Sequence, residues 1–354
     1  MINRDRLVLY SGTSNFSLAE TTLDIVSQRL NQLLTFTHVY HDPFNDGEPG
    51  FELELPEQIN GRHAILFASV IDNKHELQLR DMITACKFQY GARSVTVIMP
   101  FMRYRKQDHP EFTNEITRLR WYLKGLKDQG VDNLLVCDPH NLEITSTFAR
   151  EFGLNLFIAD PSELFAREVS PLIQSYGPET VFWYSPDFGS VGRAITMAKL
   201  TNTRVMATAK ERRDGEIQII TDDTFLDRIY RQYGDDVQVM TDLEALNGMN
   251  VFMREDEVAS GSTCAHTAKH LRQKGVNSLR LVATHPVCSH GWKRRLFPRK
   301  SPHPFDKVIV GNTRRRGFTE QTVYEVGTGG HIITVDTAPE LARRLVEVLE
   351  TLHD

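Results

Sequence analysis

Val251-Phe-Met-Arg-Glu-Asp-Glu-Val-Ala-Ser-Gly-Ser-Thr263 is the stretch that decides the fold of this chain. It opens as an apolar run, passes two adjacent acids, Glu255 and Asp256, and closes on the small residues Ser260, Gly261, Ser262 and Thr263. A helical pattern follows at once over Thr263–Lys274, with Arg272 and Lys274 in its last turn and Gly275 as the stop. A buried strand feeding a helix through a small-residue turn is the repeating unit of an open α/β sheet. Backbone N–H groups at the helix start, with the Ser and Thr hydroxyls, can receive a phosphate dianion. Carboxylates just ahead of that turn are placed to reach the hydroxyls of a sugar carried by the phosphate. The same residues also suit an ordinary N-capping turn with surface acids, so the rest of the chain has to discriminate.

Outward from this stretch, short β-rich runs alternate with helical patterns. Strands are predicted at Leu7–Tyr10, Ala64–Ser69, Ser94–Met99, Asn133–Cys137, Leu156–Ala159, Thr180–Tyr184, Asn250–Met253, Leu279–Thr284, Lys307–Val310 and His331–Val335. Most are continuous apolar runs, which suits strands covered on both faces of a parallel sheet. Helices are predicted at Ser17–Leu34, Glu76–Tyr90, Asn114–Lys127, Val191–Leu200 and Thr263–Lys274. The fold class is α/β, with two doubly wound, mostly parallel-sheet modules. A boundary near Asp160-Pro161 gives modules of residues 1–158 and 159–336, and an amphipathic helix within 337–354 packs back on one of them. The polar stretch Asp214–Asn247 carries weak signals, with strands possible at Glu216–Ile220 and Gln238–Thr241 and room for a mobile loop.

Two more strand ends carry chemistry. Ser185-Pro-Asp187 closes one strand with a carboxylate and opens a helix, and in open α/β sheets ligands bind at such carboxyl ends. Asp138-Pro-His140 closes another, where a His beside an Asp can hold a metal or a phosphate or simply be hydrogen-bonded.

Composition bounds the class. The 354 residues have 40% apolar and 25% charged character and a net charge of −5, as in an ordinary globular enzyme of two domains. An acidic balance argues against a nucleic-acid partner. The basic runs Lys293-Arg294-Arg295 and Arg314-Arg315-Arg316 read as solvated loops or a phosphate-binding edge. The beginning MINRDRLVLYSG has no long apolar stretch, so neither a signal peptide nor a membrane partner is expected. The four cysteines, Cys86, Cys137, Cys264 and Cys288, are scattered without CxxC spacing, so a reduced, cytoplasmic protein is expected.

Taken in order, the motifs resemble those of the ribose-phosphate pyrophosphokinase family. They are Ser11-Gly-Thr-Ser14, Phe44-Asn-Asp-Gly-Glu48, Pro100-Phe-Met-Arg-Tyr-Arg-Lys-Gln-Asp108, Asp138-Pro-His140, Ser185-Pro-Asp187, Lys210-Glu-Arg212, Thr284-His285 and Gly311-Asn-Thr313. Each is weak alone; in register they span nearly the whole chain. The resemblance implies a phosphoribosyltransferase-like fold and an ATP-side N-terminal domain. Phe44, Asp46 and Glu48 would bind ATP, with Phe44 near adenine in a site shared with a neighbouring subunit, and Lys106, Gln107 and Asp108 would contact ATP as well. It further implies that His140 and Asp187 hold Mg²⁺, that Glu255 and Asp256 face the ribose hydroxyls, and that Ser260, Gly261, Ser262 and Thr263 hold the 5-phosphate. Lys210 and Arg212 would close over the reacting phosphates as catalytic cations. ATP and a ribose 5-phosphate-type acceptor are the implied substrates, and a homo-oligomer, dimer or hexamer, the implied assembly.

The chain also departs from the family. Lys106 stands where the family has Arg, which removes a bidentate fork. Ala259 and Ser260 replace the Asp and Thr of the phosphate loop, Gly189-Ser190 replaces Gly-Gly, and Glu143 replaces a Gln. The segment between Lys210 and the phosphate loop is longer than the family's. Three functions therefore stay open: an active synthetase using ribose 5-phosphate, the same transfer to a larger derivative such as ADP-ribose, and a non-catalytic regulatory relative. Retention of Lys210, Arg212, His140 and Asp187 counts against the last.

Overall fold

The continuous apolar runs become parallel strands, and in the computed structural model they form two separate sheets. The structure describes residues 4–110, 114–213, 216–220, 223–236, 238–298, 302–314 and 331–352. Residues up to Asp160, with Thr313, Arg314 and those from Thr337 onward, make an N-terminal unit. Pro161–Asn312 and the segment ending at Asp336 make a C-terminal unit.

In the N-terminal unit the order is β1 (Leu7–Ser11), α1 (Phe16–Leu30), β2 (Val39–Tyr40), β3 (Glu52–Leu53), β4 (His63–Phe67), α2 (Asn73–Thr84), β5 (Ser94–Met99), α3 (Arg118–Asp128), β6 (Asn133–Cys137), α4 (Leu142–Glu151) and β7 (Asn155–Ala159). The sheet order is β1-β4-β5-β6-β7, every pair parallel. All residues of β1, β4 and β6 are buried, as strands covered on both faces must be. One face packs on α2 and α3 through Leu79, Met82, Leu119 and Leu123. The other packs on α1 and on the C-terminal helix Ala338–Thr351, whose Leu341, Leu345 and Val348 join Leu18, Leu23 and Val26.

The C-terminal unit runs α5 (Ser162–Tyr176), β8 (Val181–Ser185), α6 (Phe188–Thr201), β9 (Arg204–Ala207), β10 (Ala209–Arg213), β11 (Glu216–Ile220), α7 (Asp223–Tyr233), β12 (Val239–Met240), β13 (Asn250–Val258), α8 (Ser262–Gln273), β14 (Ser278–Pro286), α9 (Trp292–Leu296), β15 (Lys307–Gly311) and β16 (Ile332–Val335). Its sheet order is β12-β9-β8-β13-β14-β15-β16, again wholly parallel, while β10 and β11 stand apart as an antiparallel hairpin. From β8 the chain winds outward through β9 to β12, and from β13 it winds the other way to β16. The winding reverses between β8 and β13, and that is the crevice in which open α/β sheets bind ligands.

Several elements differ from the sequence reading. Helix α1 stops at Leu30, because Asn31 takes the left-handed conformation (φ 51°) and ends it. The helix predicted from Asn114 begins at Arg118. Helices α4, α5 and α7 went unpredicted; α5 carries Pro171 in its interior, a breaker that packing of Phe165, Val169 and Ile173 outweighs. Strand β13 is longer than the predicted Asn250–Met253 and runs through both acids to Val258.

Candidate active site

At the carboxyl edge of the C-terminal sheet, Asp187 caps α6. Its Oδ1 accepts from Ser190 N at 3.1 Å and from Ser190 Oγ at 3.0 Å, so both bonds fall on one oxygen and Oδ2 faces away from the cap. Ser185 Oγ donates to the Asp187 carbonyl at 2.7 Å and locks the turn from inside. Beside it, Tyr184 is fully buried, and its hydroxyl lies 2.8 Å from Thr208 Oγ1. Burial pushes the Tyr184 phenol up to about 12, and the Asp187 and Glu255 carboxylates add to the shift.

The hairpin leaves this same edge. Thr208 N donates to Ser185 O at 3.1 Å, and β10 begins at the next residue. Lys210 and Arg212 stand two residues apart on β10, in register with Ile219 and Ile217 of β11.

Strand β13 ends in the turn that introduced the chain. Because β13 stays in register with β14, pairing Glu255 with Ala283 and Glu257 with His285, the acids lie inside the strand. Adjacent strand residues point to opposite faces: Glu255 and Glu257 are half-buried, and Asp256 between them is buried. The structure therefore separates Glu255 from Asp256, where the sequence reading placed both ahead of the turn. Under them lies Arg254, fully buried, with Nη2 donating to Thr284 Oγ1 at 2.8 Å, Nη1 donating to the Glu255 carbonyl, and its guanidinium 5.0 Å from the Phe165 ring centre. Sequence reading passed over Arg254, although a charge inside an otherwise apolar run was the available signal.

Gly261 turns the chain into α8 at φ 75°, a conformation that costs a residue with a side chain; a Cβ there would also sit 3.0 Å from Leu296 Cγ. Ser260 Oγ lies 3.1 Å from Ser262 Oγ, and Ser262 and Thr263 are exposed. The turn is held from behind by Cys288 N on the Val258 carbonyl (2.8 Å) and Ser289 N on the Ala259 carbonyl (3.1 Å). Arg295 Nη1 donates to the Ser260 carbonyl at 3.1 Å. One arginine of the run Lys293-Arg294-Arg295 therefore stands at the turn. In the other basic run Arg314 is buried, 4.8 Å from the Phe101 ring, and Arg315 and Arg316 lie outside the described residues.

In the N-terminal unit, the loop after β2 is folded on itself. Phe44 N donates to Glu48 O at 2.8 Å, Gly47 N to Phe44 O at 2.9 Å, and Glu48 N to Asp46 Oδ1 at 3.0 Å. This tight turn leaves Phe44 64% exposed, unusual for a phenylalanine with no core role. Lys106 and Gln107 are exposed after β5, whereas Asp108 is buried, 2.7 Å from His109 Nδ1. Tyr104 takes φ 59° and donates from its hydroxyl to Glu76 Oε2 at 3.0 Å. After β6, Asp138 takes φ 38°, a strained value for a residue with a side chain. His140 follows, half-buried, just before Asn141 caps α4 with its side chain 3.0 Å from Ile144 N. Among the described residues no three His, Cys, Asp or Glu side chains converge to hold a metal by themselves.

The fold and the small-residue turn define a two-sheet α/β protein of phosphoribosyltransferase-like type. Residues 7–130 match the model of the N-terminal domain of ribose phosphate pyrophosphokinase. The chain is 26% identical over 343 residues to the ribose-phosphate pyrophosphokinase of Sulfurisphaera tokodaii, covering 96% of this chain and 100% of that one. It is 27% identical over 316 residues to the enzyme of that name from Coxiella burnetii, covering 88% and 87%. The crystal structure of phosphoribosylpyrophosphate synthetase from Mycobacterium smegmatis matches with a TM-score of 0.74 at 22% identity, over 98% of this chain and 100% of that one, and so shares the fold. The chain is thus similar to ribose-phosphate pyrophosphokinases, which are transferases, along nearly its whole length.

Proposed function

We propose that this protein transfers the pyrophosphoryl group of ATP to the anomeric hydroxyl of ribose 5-phosphate, giving phosphoribosyl pyrophosphate and AMP. One observation carries the reading: Asp187, the β10–β11 hairpin and the turn Ser260–Thr263 all leave the carboxyl edge where the winding of one sheet reverses. The turn offers backbone N–H groups and hydroxyls to the 5-phosphate, and Arg295 adds a cation beside it. Glu255 and Asp256 receive ribose hydroxyls, one from each face of β13. Phe44, Asp46, Glu48, Lys106, Gln107 and Asp108 supply the ATP contacts, with the exposed Phe44 ring stacking on adenine. The protein works as a homo-oligomer, in which such an exposed ring becomes covered.

Attack of the anomeric oxygen on the β-phosphorus needs positioning and neutralisation of charge more than covalent help. Lys210 and Arg212 provide cations on a hairpin that hinges at the edge, and its closure excludes water that would divert ATP to hydrolysis. Mg²⁺ fits the donors of each unit taken by itself: in the C-terminal unit Asp187 keeps Oδ2 clear of its capping bonds, and in the N-terminal unit His140 offers one nitrogen. So sparse a set suits an ion that retains waters and leans on substrate phosphates. When bound it neutralises the phosphate oxygens.

A second reading, transfer to a ribose 5-phosphate carrying a substituent on its phosphate such as ADP-ribose, is favoured by Ala259. No carboxylate stands between Ala259 and Thr263 to repel a bulkier anion. The deciding experiment offers ATP, Mg²⁺ and either acceptor to the purified protein and reads AMP release and product mass. Absence of AMP with both acceptors removes the proposal.

A further inference from the structure

Glu76 lies in the first turn of α2, whose start is fixed by Asp72, with Oδ1 accepting from His75 N at 3.1 Å. Asn73, Glu76 and Arg80 are spaced to share one stripe of that helix. The Glu76 carboxylate is engaged on both oxygens. Its Oε1 accepts from Arg80 Nε at 3.2 Å and from Arg80 Nη2 at 3.1 Å. Its Oε2 accepts from Arg103 Nη1 at 2.9 Å and from the Tyr104 hydroxyl at 3.0 Å. Arg103 Nη1 also donates to Asn73 Oδ1 at 2.8 Å, one turn back along the stripe. With its side chain only 15% exposed, Glu76 meets these donors where water competes little.

Arg103 and Tyr104 belong to the loop after β5. Tyr104 takes φ 59°, a left-handed value that a bulky aromatic residue holds only where its surroundings over-determine it. The surroundings do so here. Glu76 fixes the hydroxyl, and the Tyr122 ring meets the Tyr104 ring edge-on with centres 5.2 Å apart. The guanidinium groups of Arg103 and Arg118 lie 4.9 Å and 5.7 Å from the centre of that ring. The Tyr104 carbonyl then accepts from Gln107 N at 2.9 Å, and the Gln107 carbonyl from Leu119 N of α3 at 3.1 Å. The turn at Tyr104 therefore sets the course of the backbone through Lys106 and Gln107 into Asp108.

An ion pair that served α2 alone would need only Arg80, four residues on. The second oxygen of Glu76 is engaged outside the helix, on two consecutive residues of one loop. We propose that Glu76 is a positioning residue for ATP: it holds Tyr104 in its left-handed turn and so presents Lys106, Gln107 and Asp108 to the nucleotide. The inference rests on the assignment of those three residues to ATP under the proposed reaction. Glu76 acts through Tyr104 and Arg103. A loop free to leave this turn would spend part of the binding energy of ATP on re-entering it, and a preformed one does not. The clamp therefore belongs to nucleotide affinity and not to the chemical step.

The test measures ATP binding by calorimetry on the full-length protein, with kcat and the KM for ATP and for ribose 5-phosphate. It compares the parent with Glu76→Gln, Tyr104→Phe and the double variant. Glu76→Gln is diagnostic because an arginine N–H faces each oxygen, so the amide NH2 meets a donor whichever way it turns. Its Kd for ATP is expected to rise ~10-fold or more, as for loss of a charge-assisted hydrogen bond. The KM for ribose 5-phosphate, and kcat at saturating ATP, should stay within about two-fold of the parent. Tyr104→Phe keeps the ring and both arginine pairs, and should raise the Kd for ATP by about three-fold or more. The double variant should be no weaker than Glu76→Gln, within about two-fold, because the two groups act through one bond. A Kd for ATP within about two-fold of the parent in either single variant overturns the clamp, as do losses that multiply in the double variant. A loss spread equally over both substrates and kcat overturns it too, since that marks a general loosening of the fold. Should the thermal midpoint show Glu76→Gln unfolded, Tyr104→Phe alone decides. A parent that does not bind ATP overturns the clamp and the reaction together. Glu76-dependent ATP binding with no AMP released from either acceptor overturns the reaction and leaves the clamp standing; turnover with Glu76-independent ATP binding does the reverse.

Discussion

Lys210 and Arg212 are cations on a backbone ribbon that begins at the ligand edge, and their proposed work is done on charge that develops during transfer. Replacing either by Ala is expected to lower kcat by ~100-fold or more while ATP affinity stays within a few-fold, the signature of a group that binds the transition state more than the ground state. Steady-state rates with an ATP isotherm check this, and an unaltered kcat removes the catalytic role. Ala259 is the complementary case. Restoring a carboxylate with Ala259→Asp places a like charge beside the phosphate turn, a repulsion of about 1 kcal/mol or more at partly buried distances. It is expected to depress kcat/KM for a phosphate-substituted acceptor more than for ribose 5-phosphate. Equal losses would sever Ala259 from acceptor choice. Glu255 and Asp256 show where residue-level reading stops: adjacency in sequence does not reveal that the strand sends them to opposite faces, from which the proposed reaction has each receive a ribose hydroxyl.

Asp187 caps α6 with one carboxylate oxygen, and the proposed reaction gives the other to a cation. The two tasks separate by substitution. Asp187→Asn keeps an acceptor for Ser190 N and should retain stability but lose Mg²⁺ activation. Asp187→Ala should lose both, with about 1 kcal/mol of stability gone through the missing cap. Denaturant midpoints beside Mg²⁺ titrations of activity distinguish them, and normal Mg²⁺ dependence in Asp187→Asn would show that the carboxylate is only a cap. The loop carrying Phe44, Asp46 and Glu48 depends on a different constraint. A Cβ on Gly50 would stand 2.2 Å from the Asp42 carbonyl oxygen, so Gly50→Ala must spread the loop. The KM for ATP is expected to rise while the unfolding temperature barely moves, since the loop lies outside the core; a normal KM would detach the loop from ATP.

For the whole molecule, activity is expected to vanish in EDTA and to return with Mg²⁺, and His140→Ala should weaken that activation without unfolding the chain. Truncation before Ala338 should unfold the N-terminal unit, because the C-terminal helix supplies Leu341, Leu345 and Val348 to one face of its core; far-UV dichroism of the shortened chain reads this. Alkaline pH tests the packing more gently. Burial pushes Tyr184 and the Cys86 thiol up to about 12 from ordinary values of 10.0 and 9.0. A group whose pKa is raised by folding contributes its full stability below the unfolded value and loses it as pH climbs to the folded one. Denaturant midpoints should therefore fall steadily from about pH 9 to pH 12. A flat profile would mean that these groups are open to water.

What the sequence determined by itself is whatever depends on neighbours along the chain. Apolar runs such as Ser94–Met99 and Asn133–Cys137 are buried on both faces and came out at their predicted bounds. The doubly wound class followed from their alternation with helices, and Ser260–Thr263 was legible because a helix start and its hydroxyls are local features. Helix α5 was not legible, since Pro171 argues against a helix until Phe165 and Val169 find their core. Nor was the length of β13, which extends through two acids only because β14 lies alongside it to pair with. Which face each acid takes, the burial of Arg254 against Phe165, and the closeness of Arg295 to Ser260 all depend on residues distant in the chain. Pairing register and side-chain burial are properties of contacts between segments, so only the tertiary structure could decide them.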